Sequence, residues 1–541
     1  MLKSYILVAV QHLAKQKLYT LINVVGLAVG LACFILIGLF VRHETSYDRQ
    51  FANGDRIYRV SRDFLPTPRS KSAYLATAAP LIGPLLKEDF PEVEHAARVF
   101  CCGGTLRRAD GEVLAEKDLV LADAELFQIF AFEWLHGDPR TALDSPTSLV
   151  LTASAARKYF GDEDPMGKTL GSTNGMPLEI TGVIADLGED THLRFSAVMS
   201  IKALPEELVN NWYRNAYYTY VLLKPGASAD AIRDGSAAFF ERRFQQGASQ
   251  WTRLDVIALR DIHLRSHKEN ELRVPGSATT VQTFVAIAVF ILLLACINFM
   301  NLATARATQR AKEIGVRKVV GAERGQVVAQ FLAESVLVAL IALLLALALV
   351  ELVLPAFNAL LGTSLALHYF DDPGALAALA GLTLVTGLLA GSYPAFYLAA
   401  FEPAKVLKGD VARGGGAAAF RRGLVVLQFA ISIALLIATA VVYEQMRFAR
   451  DIELGFDKEH VVVVDGAVRD GLGPQWEAMK EQLRATPEVT AVTASDLAPG
   501  MENTDALGFL AEGHDEGGGV TNLWVDFGFF EIGRASCRER V

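Results

Sequence analysis

Cysteine is scarce, at five residues in 541, which is too few to staple a disulfide scaffold. Charge is sparse as well: 21% of residues are Asp, Glu, Lys or Arg, and the formal net charge is −9. That balance leaves no basic footprint for nucleic acid. No H-E-x-x-H or C-x-x-C occurs and the ten histidines are scattered, so no metal site stands out. No stretch reads G-x-x-x-x-G-K-[ST], so there is no phosphate-cradling loop of that kind. A hydrophobic content of 52% excludes intrinsic disorder. With a mean hydropathy of +0.29, the chain carries more apolar bulk than a soluble globular protein needs.

What is present is long stretches that charges avoid. Leu18 to Val41 is an unbroken run of 24 uncharged residues, enough to cross a bilayer with some tilt. A cleavable signal peptide would be shorter and end at small residues, whereas this run ends Leu-Phe-Val-Arg. Val274–Ala305, Pro373–Phe401 and Gly423–Tyr443 are also uncharged, and Val327–Val353 is broken only by Glu334 and Glu351. Helices of a soluble core are shorter and amphipathic. The expectation is five spans, at 18–41, 281–305, 327–353, 374–400 and 423–443.

Lys and Arg near the span ends set the topology. The N-terminal tail has Lys3, Lys15 and Lys17 and no acid, and basic residues dominate the connections after the second and fourth spans. The connection after the third, Leu354–Asp372, has Asp371 and Asp372 and no Lys or Arg. The N-terminus is therefore expected in the cytoplasm, with 1–17 as an amphipathic helix on the membrane surface. Residues 42–276 and 444–531 fall outside it, and 306–326 and 401–422 are cytoplasmic.

The first outer segment mixes strand-like runs (57–60, 178–184, 218–223) with helical ones (153–160, 229–244), an α+β pattern. Its opening recurs in the second. Pro91-Glu92-Val93 matches Pro487-Glu488-Val489, and Asp123 and Phe127 fall opposite Asp526 and Phe530. The second copy stops where the first goes on, and Ile532–Val541 reads like the translation of a sequencing adapter, so a C-terminal truncation is expected.

Individual residues carry less. Gly161–Thr169 imitates a P-loop but has five residues between its glycines, follows a helical stretch and contains three acids. Cys101 and Cys102 are adjacent, and bonding neighbours strains the backbone, so two separate thiols are the better reading. Glu334 and Glu351 would matter in an ion-coupled transporter. In the loop after the second span, Arg306, Arg310, Glu313 and Arg317 share one helical face, with Glu313 and Arg317 spaced to pair, before Gly321 breaks the helix. Headgroup contact and a docking helix for a cytoplasmic partner both satisfy that spacing.

Ala311–Ala322, running into Gln330–Glu334, closely resembles the cytoplasmic signature of FtsX-like, macrolide-exporter (MacB-type) ABC transporter permeases. Ser392–Gly409, Leu424–Ser432 and Leu149–Lys168 resemble the same family, the last being part of its outer domain. The resemblance implies a multi-pass α-helical protein of the bacterial inner membrane. A large α+β, MacB-like periplasmic core domain follows the first span, and a second one starts after the fifth. It implies a permease, not an enzyme, with no cofactor in this chain and no nucleic-acid partner. Its partners would be a cytoplasmic ABC ATPase, a second permease half in a homodimer or pseudo-dimer, and a periplasmic adaptor. Arg310, Glu313, Arg317, Lys318, Gly321 and Glu402 would form the ATPase contact. A regulatory or sensory protein of the same fold is the alternative, and an ion-coupled secondary transporter the second alternative.

Overall fold

The computed structural model describes residues 17–67, 72–101, 103–172, 175–367, 372–400, 415–452, 461–464, 475–495, 506–509, 518–521 and 523–529. At 306–314, 317, 415–418, 506–509 and 518–521 it describes the backbone alone. The expected surface helix at 1–17 (but for Lys17), Cys102, most of the 401–422 loop and Ile532–Val541 lie outside the described residues. The chain forms two compact units: residues 1–45 with 278–451, and 46–277 with 452–541.

The first unit contains five helices, among the described residues, long and apolar enough to span a membrane: Lys17–Ser46, Ala278–Ala305, Arg324–Leu361, Pro373–Ala399 and Ala419–Asp451. Their ends correct the sequence reading. The second span's helix continues to Val319, so only 320–323 of the expected 306–326 loop is non-helical. The third runs past Val353 and through Pro355 to Leu361, so the first eight residues of Leu354–Asp372, expected as a connection, are helix. A charge or a proline ends a run of lipid-compatible residues, but the backbone ladder stops only where a cap stops it. That cap is Gly362, left-handed at φ +65°, whose N–H bonds the Asn358 carbonyl.

The spans meet through small residues, which let helix backbones approach where lipid offers no hydrophobic drive. Leu27, Ala28 and Leu31 of the first pack against Cys296 and Phe299 of the second and Ala339 and Ala342 of the third. A Cβ on Gly30 would sit 2.6 Å from the Ala295 Cβ, and one on Gly387 2.7 Å from the Val336 Cα. Asn301 Nδ2 donates to Gln428 Oε1 at 3.4 Å, linking the second and fifth spans. Asp372 caps the fourth helix, accepting from the Gly374 and Ala375 N–H groups, and pairs with Arg42 of the first at 2.7 Å.

In the second unit the strands of residues 46–277 are β1 (Ile57–Phe64), β2 (Ala73–Tyr74), β3 (Val93–Cys101), β4 (Gly104–Arg107), β5 (Val113–Glu116), β6 (Leu119–Ala122), β7 (Trp134–Gly137), β8 (Ser148–Thr152), β9 (Thr169–Ser172), β10 (Pro177–Ile184), β11 (Ala197–Ser200), β12 (Tyr217–Leu223) and β13 (Thr252–Ala258). They make one mixed sheet in the order β13-β1-β12-β3-β6-β11-β8-β10-β9-β4-β5, with β2 on β1 and β7 on β10. β8 and β12 are buried along their whole length, so they read as continuous apolar and aromatic runs rather than alternating ones. Helices cover the faces: α1 (Ile82–Asp89) lends Ile82 and Leu86, and α3 (Asp230–Arg243) lends Phe239 and Phe240, to one core. Between them in sequence, α2 (Ala153–Phe160) packs Tyr159 on Leu149, Leu151 and Leu178.

The repeat is visible in backbone geometry. Helix α4 (Trp476–Arg484) precedes Pro487-Glu488-Val489 as α1 precedes Pro91-Glu92-Val93. Ser495 bridges Val525 where Val99 pairs with Ala122. The Asp526 N–H donates to the Ala494 carbonyl at 2.8 Å, as that of Asp123 does to Arg98 at 3.1 Å. The Phe529 N–H donates to the Asp526 carbonyl at 3.2 Å, as that of Leu126 does to Asp123 at 3.0 Å. Phe530, expected opposite Phe127, lies outside the described residues.

Candidate functional site

The stretch between the second and third spans builds a corner. The second helix ends at Val319, Gly321 adopts φ +103°, and Glu323 opens the third helix with a capping box shared with Gln326. A residue with a side chain is strained at such a φ, so the chain reverses here on glycine. The last turn of the second helix is fastened to another span: Lys318 Nζ donates to the Ala399 carbonyl at 2.6 Å. Ala399 ends the fourth helix, where carbonyls lack helical partners and a cation is favoured. Burial, and then the neighbouring Arg324, push the Lys318 amine below its usual value. Beneath this contact Val327 packs on Leu398 and Ala399, with Phe331 and Tyr397 alongside.

The corner also exposes apolar surface. Val316, Val319 and Val320 are 54%, 65% and 83% exposed. Their spacing of i, i+3, i+4 places them together on the last turn. Of the residues singled out in the sequence, Arg310, Glu313 and Arg317 lie on the helix that carries Lys318, at i, i+3 and i+7, and their side chains are outside the description. Gly321 is the corner itself. Glu402 lies outside the described residues. Sequence reasoning missed the valines and the Ala399 carbonyl. An apolar i, i+3, i+4 triad at the end of a charged helix was the available signal for the first, and a carbonyl has no signal.

The structure also places two other candidates. Glu334 and Glu351 are 17 residues apart on one helix, a rise of roughly 25 Å, so they cannot share one ion site. The P-loop imitation follows α2 and leads into β9. Its Gly167 N–H is committed to the Ile180 carbonyl at 2.9 Å, and Lys168 is paired with Glu163 at 2.5 Å. Among the described residues no cluster of His, Cys, Asp and Glu is arranged to hold a metal ion.

Comparison with known families agrees with this division of the chain. Residues 20–237 match the family described as MacB-like periplasmic core domain, and residues 285–403 match the FtsX-like permease C-terminal family. The chain belongs to the MacB-type, FtsX-like ABC transporter permeases. The corner at Gly321 lies inside the FtsX-like match, and the sheet-bearing unit supplies most of the periplasmic core match. Relatives include a macrolide export ATP-binding/permease protein MacB from Bdellovibrio bacteriovorus, 25% identical over 48% of this chain and 38% of its own. Another MacB, from Psychrobacter cryohalolentis, is 22% identical over 73% of this chain and 58% of its own. The ABC transporter permease YknZ of Bacillus subtilis is 29% identical over 36% and 45%. The chain thus spans about half the length of the curated relatives it matches. Among solved structures, a permease domain from Porphyromonas gingivalis has a TM-score of 0.35 at 23% identity, covering 39% of this chain and 92% of that one. The periplasmic region of MacB from Actinobacillus actinomycetemcomitans has a TM-score of 0.29 at 12% identity, covering 39% and 91%. As a member of this family the chain is a multi-pass membrane protein with a large α+β extracytoplasmic domain after its first span.

Proposed function

We propose that this chain is the membrane-spanning subunit of an ABC-type exporter or mechanotransmission complex. It couples ATP hydrolysis by a cytoplasmic partner ATPase to movements of its extracytoplasmic domains. The supporting observation is the Lys318–Ala399 contact, which ties the turn between the second and third spans to the end of the fourth. A push on the exposed valines of that turn is thereby shared by three helices. Positive-inside charge favours a cytoplasmic location for this corner and for the N-terminus. Arg310, Glu313 and Arg317, at i, i+3 and i+7 on the helix that carries Val316 and Val319, are assigned to the ATPase contact in this reading, together with Glu402. A second permease half and a periplasmic adaptor complete the assembly in this reading.

The test is purification of the full-length chain in mild detergent from cells that also express candidate ABC ATPases. An ATPase whose turnover the chain alters should come with it, and Glu313→Ala combined with Arg317→Ala should release it. Absence of any associated ATPase activity would overturn the coupling role. Retention of the ATPase by the double variant would overturn the site.

A further inference from the structure

The outer unit joins the spans on either side of residues 46–277, and both crossings are tied to one loop, Gly188–Leu193. Asp48, two residues past the first span's helix, is completely buried and adopts a left-handed φ of +60°. Its N–H donates to the Asp190 carbonyl at 2.8 Å. Its carboxylate accepts from the Thr191 hydroxyl at 2.6 Å and the His192 N–H at 3.2 Å, and its other oxygen lies 2.9 Å from His192 Nδ1. Burial would push this carboxyl up, but the His192 ring and these hydrogen bonds outweigh it and hold it below the usual value. At the other crossing, Arg273 donates to the carbonyls of Glu189 at 3.0 Å and Thr191 at 2.7 Å. His192 Nε2 lies 2.8 Å from the Tyr220 hydroxyl. Tyr220 is on β12, which pairs with β1 on one side and β3 on the other.

A buried charge is costly, and so is a left-handed residue other than glycine. Neither is needed to close a surface loop. Both occur at the point where the chain leaves the first span, and each hydrogen bond leads toward the same loop. Packed, fully bonded elements transmit displacement because they do not deform continuously.

We propose that Asp48, His192 and Tyr220, with Arg273 as a second tether, form the relay that passes displacement of the first two spans into the centre of the outer sheet. The inference rests on the coupling role proposed above. These are positioning residues; none is assigned contact with cargo or nucleotide.

The experiment is hydrogen exchange on the full-length chain with its co-purified ATPase, with and without ATP and vanadate. In the unaltered complex, nucleotide should change exchange in peptides covering both 188–193 and 217–223. Tyr220→Phe keeps the ring and removes the hydroxyl. It should preserve the response at 188–193 and weaken that at 217–223 by about threefold or more. Asp48→Asn should weaken both, and Arg273→Gln, which leaves Asp48 and its partners in place, carries the test if Asp48→Asn does not fold. A full response at 217–223 in both Tyr220→Phe and Arg273→Gln overturns the relay and leaves the coupling role standing. A nucleotide response absent from the unaltered outer unit overturns both together.

Discussion

Lys480 donates to the Asp526 carboxylate at 2.5 Å, at the place where the first copy of the repeat uses an arginine. In the first copy Arg98, on β3, grips Asp123 through Nε and Nη2, both at 2.8 Å. The residue that occupies the place of Arg98 in the second copy is Ala494, identified by the matching backbone bond to Asp526. In the second copy the cation comes instead from α4, where Lys480 and Trp476 reach the same carboxylate. Lys480→Ala should therefore loosen the second outer segment by about 1–3 kcal/mol, the range for a charge-assisted bond. Adding Ala494→Arg should restore it. Protease resistance of residues 476–529 in the full chain measures both steps, and a double variant no more resistant than Lys480→Ala refutes the equivalence.

The third and fourth spans approach closely enough that one methyl group separates them. A Cβ on Gly387 would meet the Val336 backbone at 2.7 Å, whereas one on Gly381 of the same helix has nothing within 4 Å. Gly387→Ala should cost about 1–3 kcal/mol through overpacking, and Gly381→Ala should be neutral or slightly stabilising. Thermal unfolding in detergent separates the two. Equal midpoints would mean that the helices part without cost.

The spans were legible in the sequence because the absence of charge is a local property of the chain. Their ends were not, because caps such as Glu323 and Gly362 act through backbone geometry that composition does not carry. β12 could be read from Tyr218–Leu223, yet its place between β1 and β3 depends on pairings more than a hundred residues distant. Buried polar residues leave no signal in the sequence. Asp48, Arg59 and Arg62 look like surface charges in the sequence and are at most 1% exposed, Arg62 lying over the ring of Phe64 at 4.8 Å. At the corner, the helical face of Arg310, Glu313 and Arg317 follows from spacing alone. The hold of Lys318 on Ala399 does not, since its acceptor is a main-chain oxygen 81 residues away.

Acid should release the Asp48 cluster. Its carboxyl titrates below the ordinary 3.8 in the folded chain. It therefore adds stability that is complete above the unfolded value and is lost as pH falls through the folded one. The unfolding temperature of the outer unit should drop more steeply below about pH 4 in the unaltered protein than in Asp48→Asn. The variant should start lower at neutral pH and converge with the parent in acid. Asp89, Glu116 and Asp255 are held low as well and remain in both proteins, so the difference between the two curves isolates Asp48. Parallel curves across the acid range would show that the carboxylate adds nothing there.

Binding and coupling at the Gly321 corner should be separable by substitution. Val320 is 83% exposed; if it lies in the proposed docking surface, Val320→Asp should weaken ATPase association by roughly tenfold or more, as for a charge placed in an apolar contact. Lys318 faces inward to the fourth span instead, and Lys318→Met keeps the length of the side chain while removing its bond to Ala399. Association should then stay within about twofold of the parent, because the exposed valines are untouched, while stimulation of ATPase turnover by the permease falls by roughly two- to tenfold. Affinity from a titrated pull-down and turnover at saturating permease measure the two quantities independently. If Lys318→Met weakened association as much as Val320→Asp did and left turnover at saturation unchanged, Lys318 would belong to the docking surface rather than to the link between spans.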